Sequence, residues 1–353
     1  MIARAGQSPE VLHYVGYDDD AGGIVSVVRA LAEEAQFHSV LGLNREARQS
    51  RTPALPQAEF APLAGEKISP LNLWRARRAA REVQAWLRAE PGRIFHGHSR
   101  AGLLVALWLH AWGERRVVAS VHCYGRHRWF YRWAAQRLGA RLWWLSPAMR
   151  RYYGVSGEGW GQCLPGGVTR RWFDLAPAAP VPGVLRLGGA GARVRWKRWE
   201  LVPEALRELG DRAVVFEHIG AEPDGGYAGE LRALSGPVVH WRPAETDTAR
   251  LLRSIDVLVC ASDQEPFSMA VQEALAAGVP VLAAAGGGSL DLIRPGVNGW
   301  LFESGNASAL AARLRDIAET RAWERLDRAA IRASAWRAEE VGVRWKTAYA
   351  ALA

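Results

Sequence analysis

The sequence predicts an α/β fold with two domains, each built on a doubly wound parallel sheet. The first observation is the segment 255–300, where a short apolar run leads into a polar loop, a helix, a second apolar run and a glycine triplet. Such β-branched runs without helical period are typical of strands buried on both faces of a parallel sheet. The second observation is length, because 353 residues can bury two separate cores. The third is the Pro- and Ala-rich segment 174–183, a candidate linker.

The elements expected in the first domain follow from the same alternation. A strand over Val11–Tyr17 precedes a loop that ends in Gly22 and Gly23, and a helix over Ile24–Ala35 follows. The prolines between residues 47 and 70 predict an irregular segment there. The remaining predictions are strands over 37–43, 93–98, 117–121 and 141–146, and helices over 71–90, over 103–112 and from 148.

The second domain is expected to open with a strand over Val184–Leu187, followed by a glycine-rich loop over 188–191. Ser268 is the predicted N-cap of a helix that Gly278 ends. The remaining predictions are strands over 214–219, 238–241, 255–259 and 279–282, and helices over 248–255, 307–317 and 321–349.

Composition and charge indicate a globular protein whose binding partners are acidic. Hydrophobic residues make up 49% of the chain and charged residues 23%, as in globular proteins. The formal net charge is +9, which favours nucleotide diphosphates, anionic lipid headgroups, charged glycans or nucleic acid. The aromatic and basic residues form no recognised nucleic-acid module, so we expect no nucleic-acid partner.

The expected location is cytoplasmic. The first ten residues lack the apolar core of a signal peptide, no run of 18 apolar residues occurs, and the three cysteines lack metal-ligand spacing. Tryptophan stands next to arginine at 74–75, 128–129 and 171–172, a pairing that also suits a membrane interface. Peripheral contact with the inner face of an anionic membrane is therefore left open.

Two glutamates carry the strongest functional signal. Glu265 lies in the loop after one predicted strand, and Glu273 follows eight positions later on the next helix, a rise of roughly 12 Å if that stretch were wholly helical. This is about the span from hexose to ribose in a nucleotide sugar. Carboxylates accept hydrogen bonds from sugar hydroxyls, whereas backbone N–H groups at a helix start suit the diphosphate between them.

These motifs together resemble the retaining GT-B glycosyltransferases of family 4, also called glycosyltransferase group 1. The pair Glu265 and Glu273 is similar to the family's E-x7-E signature, and the segment 287–299 resembles its glycine-rich continuation. The resemblance implies two Rossmann-like domains that face each other across a cleft, the GT-B architecture. It implies an N-terminal, acceptor-side domain over 1–174 and a C-terminal domain over 184–335 that binds the nucleotide-sugar donor. A C-terminal helix within 336–353 is expected to cross back to the N-terminal domain.

The resemblance also implies a set of site residues. Glu265 would hold the transferred sugar and Glu273 the ribose, while His122 would orient the sugar or the acceptor. The implied catalytic residues are His122, Arg193, Lys197 and Glu265, the acceptor residues are His98 and Arg100, and the donor-binding residues are Gly22, Gly23, Gly189, Arg193, Lys197, Trp241, Arg242, Glu265, Phe267, Ser268, Met269 and Glu273. Ser268 stands where the family commonly has glycine.

The cationic pair and the histidines each have a plainer interpretation. The family's phosphate-loop arginine aligns with Ala192 in this sequence. We therefore assign its role to the neighbouring Arg193, with Lys197 as the second cation. Two fixed cations can stabilise a leaving diphosphate without a metal, and we expect no metal and no cofactor. The alternatives are surface charge for the cations and structural hydrogen bonding for His98 and His122.

The function expected from the resemblance is sugar transfer, with retention, from a UDP- or GDP-sugar to a glycan or lipid-linked acceptor in cell-envelope polysaccharide or glycoconjugate synthesis. Two alternatives stay open. One is a sugar-nucleotide-binding protein without catalysis, and the other is a different GT-B enzyme such as a sugar-nucleotide epimerase or a phosphorylase.

Overall fold

The computed structural model describes residues 9–18, 22–45, 55–63, 68–210, 213–244 and 248–352. The chain divides into two compact units. The first comprises Met1–Thr169 together with Arg337–Ala353, and the second comprises Arg170–Trp336. The division therefore falls just before the predicted linker 174–183.

The first unit is built on a seven-stranded sheet whose described pairs are all parallel. Its strand order is β3-β2-β1-β4-β5-β6-β7. The strands are β1 Glu10–Tyr14, β2 His38–Asn44, β3 Gln57–Phe60, β4 Ile94–Gly97, β5 Val117–Val121, β6 Leu142–Trp144 and β7 Gln162–Cys163. The helices up to residue 169 are α1 Gly23–Glu34, α2 Pro70–Ala89, α3 Arg100–Ala111, α4 Arg128–Leu138 and α5 Pro147–Tyr153.

The second unit repeats this plan with a six-stranded parallel sheet of order β10-β9-β8-β11-β12-β13. Its strands are β8 Leu185–Ala190, β9 Val214–Ile219, β10 Val239–Arg242, β11 Val257–Cys260, β12 Val281–Ala284 and β13 Gly299–Phe302. Its helices are α6 Arg170–Phe173, α7 Leu201–Leu209, α8 Gly225–Leu234, α9 Ala249–Ser254, α10 Met269–Ala277, α11 Ser289–Leu292, α12 Ala307–Thr320, α13 Ala322–Arg325 and α14 Arg328–Arg332.

In each sheet the order in which the chain adds strands changes direction at one switch point, between β1 and β4 in the first unit and between β8 and β11 in the second. In doubly wound sheets the loops at the carboxyl ends of these two strands diverge and leave a crevice, which is where ligands bind. The predicted doubly wound α/β plan is confirmed for each unit, and the switch points fix where a site is to be sought.

The last helix, α15 Ala338–Ala350, belongs to the first unit. It packs on α1 and covers the sheet with Trp345 and Tyr349, both buried. Trp345 donates from Nε1 to the carbonyl oxygen of Pro165, at 3.2 Å, and Ala338 N–H bonds the carbonyl of Val168 at 2.9 Å. None of the described helices combines the length and hydropathy that crossing a bilayer would require.

Several element predictions are confirmed. The strands at 117–121 and 214–219 have the predicted bounds. Ser268 caps α10, accepting from Val271 N–H at 3.4 Å, and Gly278 ends that helix with a φ of +77°. These signals are local, because a cap needs only its own side chain and the backbone a few residues away.

Other predictions were wrong for physical reasons. Strand β3 forms inside the segment predicted to be irregular, because Pro56 lies at its start and its carbonyl accepts from Leu41 N–H at 2.8 Å. Strand β8 continues through Gly188 and Gly189, where a loop was expected. The absence of a side chain at Gly188 admits Ile255, whose Cδ1 would lie 2.4 Å from a Cβ there.

Two helix predictions also need correction. The helix expected over 321–349 is three separate helices, α13, α14 and α15. Leu326 is extended and Asp327 caps the next helix, which separates α13 from α14. The chain turns at residues 333–337 to bridge Val168 through Arg337, which separates α14 from α15. Helix α4, Arg128–Leu138, was not predicted. Its buried face consists of Phe130, Tyr131, Ala134, Ala135 and Leu138.

A tight backbone approach in the second sheet generates the first prediction. A Cβ at Gly220 would lie 1.8 Å from the carbonyl oxygen of Gly191, so Gly220→Ala forces apart the loops after β8 and β9. We expect a loss of unfolding free energy of about 1–3 kcal/mol or more, measured by urea denaturation. Gly225→Ala is the matched control, because nothing lies within 4 Å of its added methyl and it falls in a helix. Equal stability of the two variants would contradict the close approach.

Candidate functional site

The switch point of the second sheet brings together Lys197 and Glu265. Lys197 closes a short 3-10 turn over Arg195–Lys197 in the loop after β8, and Glu265 lies in the loop after β11. The Lys197 Nζ and Glu265 Oε2 atoms form an ion pair in which the side chains keep only 14% and 8% of their exposure. Charges this well shielded from water interact more strongly than surface pairs do.

The loop that carries Glu265 rests on the glycine triplet at 286–288. Gly288 N–H donates to the carbonyl oxygen of Glu265 at 2.7 Å. A Cβ at Gly288 would lie 2.3 Å from the carbonyl oxygen of Pro266, and one at Gly286 would lie 2.0 Å from that of Asp263. The two loops therefore meet backbone to backbone, which fixes the main chain at Glu265 and leaves its carboxylate for Lys197.

A second ion pair adjoins the first. Arg198 adopts a φ of +53°, and its Nη1 donates to Asp263 Oδ2 at 3.0 Å. Asp263 Oδ1 accepts from Ser304 Oγ at 2.9 Å, so this carboxylate joins the loops after β8, β11 and β13. Sequence reasoning missed Arg198 and Asp263, although both lie within two positions of predicted residues.

Glu273 lies on α10, eight residues after Glu265 along the chain, and is half-buried; because α10 begins at Met269, the stretch between the two glutamates is only partly helical. Its Oε2 accepts from Thr248 Oγ1 at 2.8 Å. Phe267 and Ser268 are buried at the start of this helix, and Met269 is its first residue. Since Ser268 caps α10, the serine that replaces the usual glycine has a structural reason and does not argue against a binding site.

Arg193 is placed differently from the simple cation expected from the sequence. It keeps only 2% of its exposure, and its Nη2 donates to the carbonyl oxygens of Gly220 at 2.7 Å and Arg242 at 3.0 Å and pairs with Glu222 at 2.9 Å. Burial lowers the pKa of this guanidinium from its ordinary value. Arg193 thus holds the ends of β9 and β10, while its Nε and Nη1 find no partner among the described residues.

The remaining predicted donor residues of the second unit have partners within it. Trp241 donates from Nε1 to Ser235 Oγ at 2.7 Å and packs edge-on against Phe216, whereas Arg242 pairs with Glu217. Gly189 lies in β8, where a Cβ would approach Phe216 Cζ to 2.8 Å. These three residues therefore pack or pair within the sheet of the second unit.

Four histidines meet at the switch point of the first sheet. His13 on β1 stands opposite His96 on β4, His98 follows β4, and His122 follows β5. His13 Nδ1 and His98 Nε2 are 2.9 Å apart, and His98 Nδ1 and His122 Nε2 are 3.1 Å apart. The three imidazoles form a hydrogen-bonded row that ends at the partly exposed His122.

His13, which sequence reasoning missed, completes a cluster with the composition of a metal site. The candidate ligand atoms of His13, His96 and His98 lie within 4.8 Å of one another. Yet His96 bonds Tyr349 OH through Nδ1 at 2.6 Å and Ser120 Oγ through Nε2 at 2.7 Å. The rings of His96 and His98 are stacked, with centroids 3.9 Å apart, instead of converging on one point. The arrangement serves hydrogen bonding rather than tetrahedral coordination.

Burial keeps these imidazoles neutral. It lowers the pKa of His13 from 6.5 to about 3 and lowers the pKa values of His96 and His98 well below 6.5. Desolvation disfavours the charged ring, and the neighbouring imidazoles add to the effect for His96 and His98. His98 has no exposed surface, so it can act on a ligand only through His122.

The other predicted residues of the first unit lie at the same sheet edge. Gly22 caps α1 with a φ of +103° and Gly23 begins that helix, whereas Asp19–Ala21 fall outside the described residues. Arg100 begins α3, and its Nε donates to Tyr131 OH at 3.1 Å. It lines a cavity of about 420 Å³ together with Ile68, Tyr124, Gly125, Arg126, His127 and Tyr131.

Comparison with known proteins agrees with this layout. Residues 193–336 match the family model described as Glycosyl transferases group 1. The matched segment covers the loops of Lys197 and Glu265 and all of α10 but less than half of the chain.

Two curated relatives each match part of the chain. One is D-inositol 3-phosphate glycosyltransferase of Streptomyces avermitilis, 38% identical over 136 residues, which are 38% of this chain and 28% of the relative. The other is the sulfoquinovosyl transferase SQD2 of Arabidopsis thaliana, 31% identical over 146 residues, which are 40% and 27% of the two chains. The chain therefore spans about a quarter of the length of the curated relatives it matches.

Solved structures extend the similarity to the whole chain. A glycosyltransferase from Rickettsia africae superposes with a TM-score of 0.77 at 16% identity over 98% of both chains. HepE of Anabaena, solved in complex with UDP-glucose, gives a TM-score of 0.71 at 17% identity, also over 98% of both. The fold is GT-B, with two Rossmann-like domains.

The buried histidines generate a prediction about pH. An unfolded histidine binds a proton below a pH of about 6.5, whereas the folded His13 resists until about 3, so the unfolded state takes up more protons as the pH falls. We expect the free energy of unfolding to have its full value above pH 6.5. Below pH 6.5 it should decrease by up to about 1.4 kcal/mol per pH unit for each such residue. Urea denaturation between about pH 7 and about pH 4 measures the slope of the unfolding free energy against pH, because this range begins above the unfolded pKa and ends above the folded pKa.

His13→Asn should make this slope shallower, because it removes one buried imidazole but keeps a side-chain N–H near the Nδ1 position. His240→Asn, at an exposed position on β10, is the matched control and should keep the wild-type slope. A slope that His13→Asn leaves unchanged would contradict the assignment of the acid sensitivity to this cluster.

Proposed function

We propose that this chain is a glycosyltransferase that moves a sugar from a nucleotide diphosphate sugar, UDP- or GDP-linked, to a glycan or lipid-linked acceptor. The observation that carries the proposal is the shielded pair of Lys197 and Glu265 at the switch point of the second sheet. Such a crevice is the usual ligand position in this fold class, and the group 1 family match spans both residues. The similarity to HepE, whose structure holds UDP-glucose, supports the same donor chemistry.

In the proposed complex the two glutamates bind the two sugars of the donor. Glu273, half-buried and bonded to Thr248, accepts hydrogen bonds from the ribose hydroxyls. Glu265 accepts them from the transferred sugar. The diphosphate then lies between them at the N-terminus of α10, where the helix dipole and the backbone N–H groups of the first turn favour an anion.

Lys197 supplies the fixed positive charge of the reaction. As the bond between the sugar and the diphosphate breaks, negative charge grows on the leaving group, and a preorganised ammonium stabilises that charge. Before the donor binds, Glu265 neutralises Lys197, so the cation is held in place without water around it. Together with the α10 N-terminus this provides a route that requires no metal. Arg193 acts in this proposal by fixing the loops after β9 and β10.

The first unit is proposed to contribute His122. Its ring follows β5 at the sheet edge and is held by His98, which is held in turn by His13. A neutral imidazole of fixed orientation can exchange one hydrogen bond with a hydroxyl of an acceptor that binds at this sheet edge. We propose retention of configuration at the anomeric carbon and a role in cell-envelope glycan or glycoconjugate synthesis, both on the strength of the family resemblance.

Replacing Lys197 tests the catalytic part of the proposal. Lys197→Met should lower kcat for release of nucleoside diphosphate by about 10²- to 10³-fold, the range found for loss of one preorganised donor. Lys197→Arg should retain part of the rate because the charge remains. Lys346→Met on α15 is the matched control and should keep the wild-type rate.

The same assay separates the alternatives, with folding checked by thermal denaturation because Lys197→Met leaves Glu265 without its partner. Donor binding without release of diphosphate in any acceptor panel would favour a non-catalytic binding protein. Interconversion of the donor sugar without an acceptor would favour an epimerase. The anomeric coupling constant of the product decides between retention and inversion.

A further inference from the structure

The first two turns of α2 and α4 present large apolar side chains to solvent. Leu71 and Trp74 on α2 are 53% and 60% exposed, and Trp129 and Trp133 on α4 are 67% and 41% exposed. Isolated exposed apolar side chains are ordinary, but a contiguous set marks a binding surface. We call these four residues the apolar rim.

The two parts of the apolar rim, on α2 and on α4, flank one cavity because both helices begin beside it. Ile68, two residues before α2, and Arg126 and His127, immediately before α4, all line the cavity of about 420 Å³ at this sheet edge. On α2, Leu71 and Trp74 share a helix face with Arg75 and Arg78, following the i, i+3, i+4, i+7 spacing. The face is therefore amphipathic, with its apolar part in the first turn.

The surroundings of the apolar rim are basic and almost free of carboxylates. No Asp or Glu occurs between residues 67 and 81 or between residues 115 and 157. Exposed arginines stand beside the rim on both helices and in the preceding loop, namely Arg77, Arg78, Arg81, Arg126, Arg128 and Arg132. The charge of this surface is complementary to a dense array of phosphates.

We propose that the apolar rim and its arginines dock the first unit onto an anionic bilayer. Indole rings favour the headgroup level of a membrane, where they are part apolar and part wet, and leucine enters the acyl boundary. Guanidinium groups pair with lipid phosphates at the same depth. Arg100 and Arg126 line the cavity between the helix starts and receive one headgroup phosphate there.

A bilayer explains this surface better than a nucleic acid or a soluble anion does. A soluble phosphate needs the arginines but not the exposed Leu71. Stacking on bases would use the indoles but leave the leucine in water. The docking does not depend on sugar transfer, so its failure and the failure of the proposed function can be told apart.

The test is co-sedimentation of the full chain with vesicles, either of phosphatidylcholine alone or of phosphatidylcholine with phosphatidylglycerol. The variants are Trp74→Ser with Trp129→Ser, and Arg78→Ser with Arg132→Ser. Matched controls in the second unit are Trp336→Ser, and Arg313→Ser with Arg325→Ser, all at exposed positions. Thermal denaturation of every variant verifies folding.

The wild-type chain and both controls should bind the anionic vesicles and release them at high salt. The tryptophan variant should lose at least about tenfold in partition, and the arginine variant roughly fivefold for each residue removed. Equal binding to both vesicle types, full binding by the tryptophan variant, or displacement by soluble glycerol 3-phosphate would each overturn the proposal. The last of these results would identify a site for a free anion instead.

Discussion

The second unit depends on one electrostatic constraint, the pairing of Lys197 with Glu265 in a place that water hardly reaches. Removing one partner of a buried ion pair costs about 3–5 kcal/mol, because the other charge is left unpaired. The loops after β8 and β11 are thus tied together at the switch point, where the strand order reverses. The glycine triplet behind Glu265 and the Arg198–Asp263 pair beside it hold the same loops from two further sides. A ligand anion that takes over Lys197 can release Glu265 for a hydroxyl, so the resting pair and the proposed reaction use the same two charges.

At the switch point of the first unit, the structure has to accommodate buried histidines. There, side chains that prefer water are buried in a row, and they are kept neutral and bonded to one another. Tyr349 and Ser120 satisfy both nitrogens of His96, and α15 closes the layer with Trp345. The C-terminal helix is therefore part of the support of this edge, because without it His96 would lose Tyr349 as a partner. The exposed end of the row, His122, is the part that a ligand can reach.

The sequence carried much of the fold because its signals were local. Ser268 and Gly278 bound α10 by capping rules that need only a few residues, and β5 and β9 were found from their apolar runs. The meeting of Lys197 and Glu265 was also within reach, since strands that flank a switch point bring their loops together. What sequence reasoning missed depends on contacts between distant segments. Four features have no signature in the neighbouring sequence. They are the burial of Arg193 at the sheet end, the position of His13 beside His98, the left-handed conformation of Arg198 and the edge strand β3.

The central claim is that the loops of Lys197 and Glu265 and the helix of Glu273 bind a nucleotide diphosphate. The most direct measurement is titration calorimetry with UDP, GDP, ADP and dTDP, with and without EDTA, on the wild type, on Glu273→Ala and on the control Glu204→Ala. We expect that one nucleotide binds in the presence of EDTA, that Glu273→Ala weakens its binding and that Glu204→Ala does not. At a hundred times its Kd this nucleotide should also stabilise the fold by about 2.7 kcal/mol. If no nucleotide binds, or if Glu273→Ala binds as tightly as the wild type, the assignment of this crevice as a donor site is wrong.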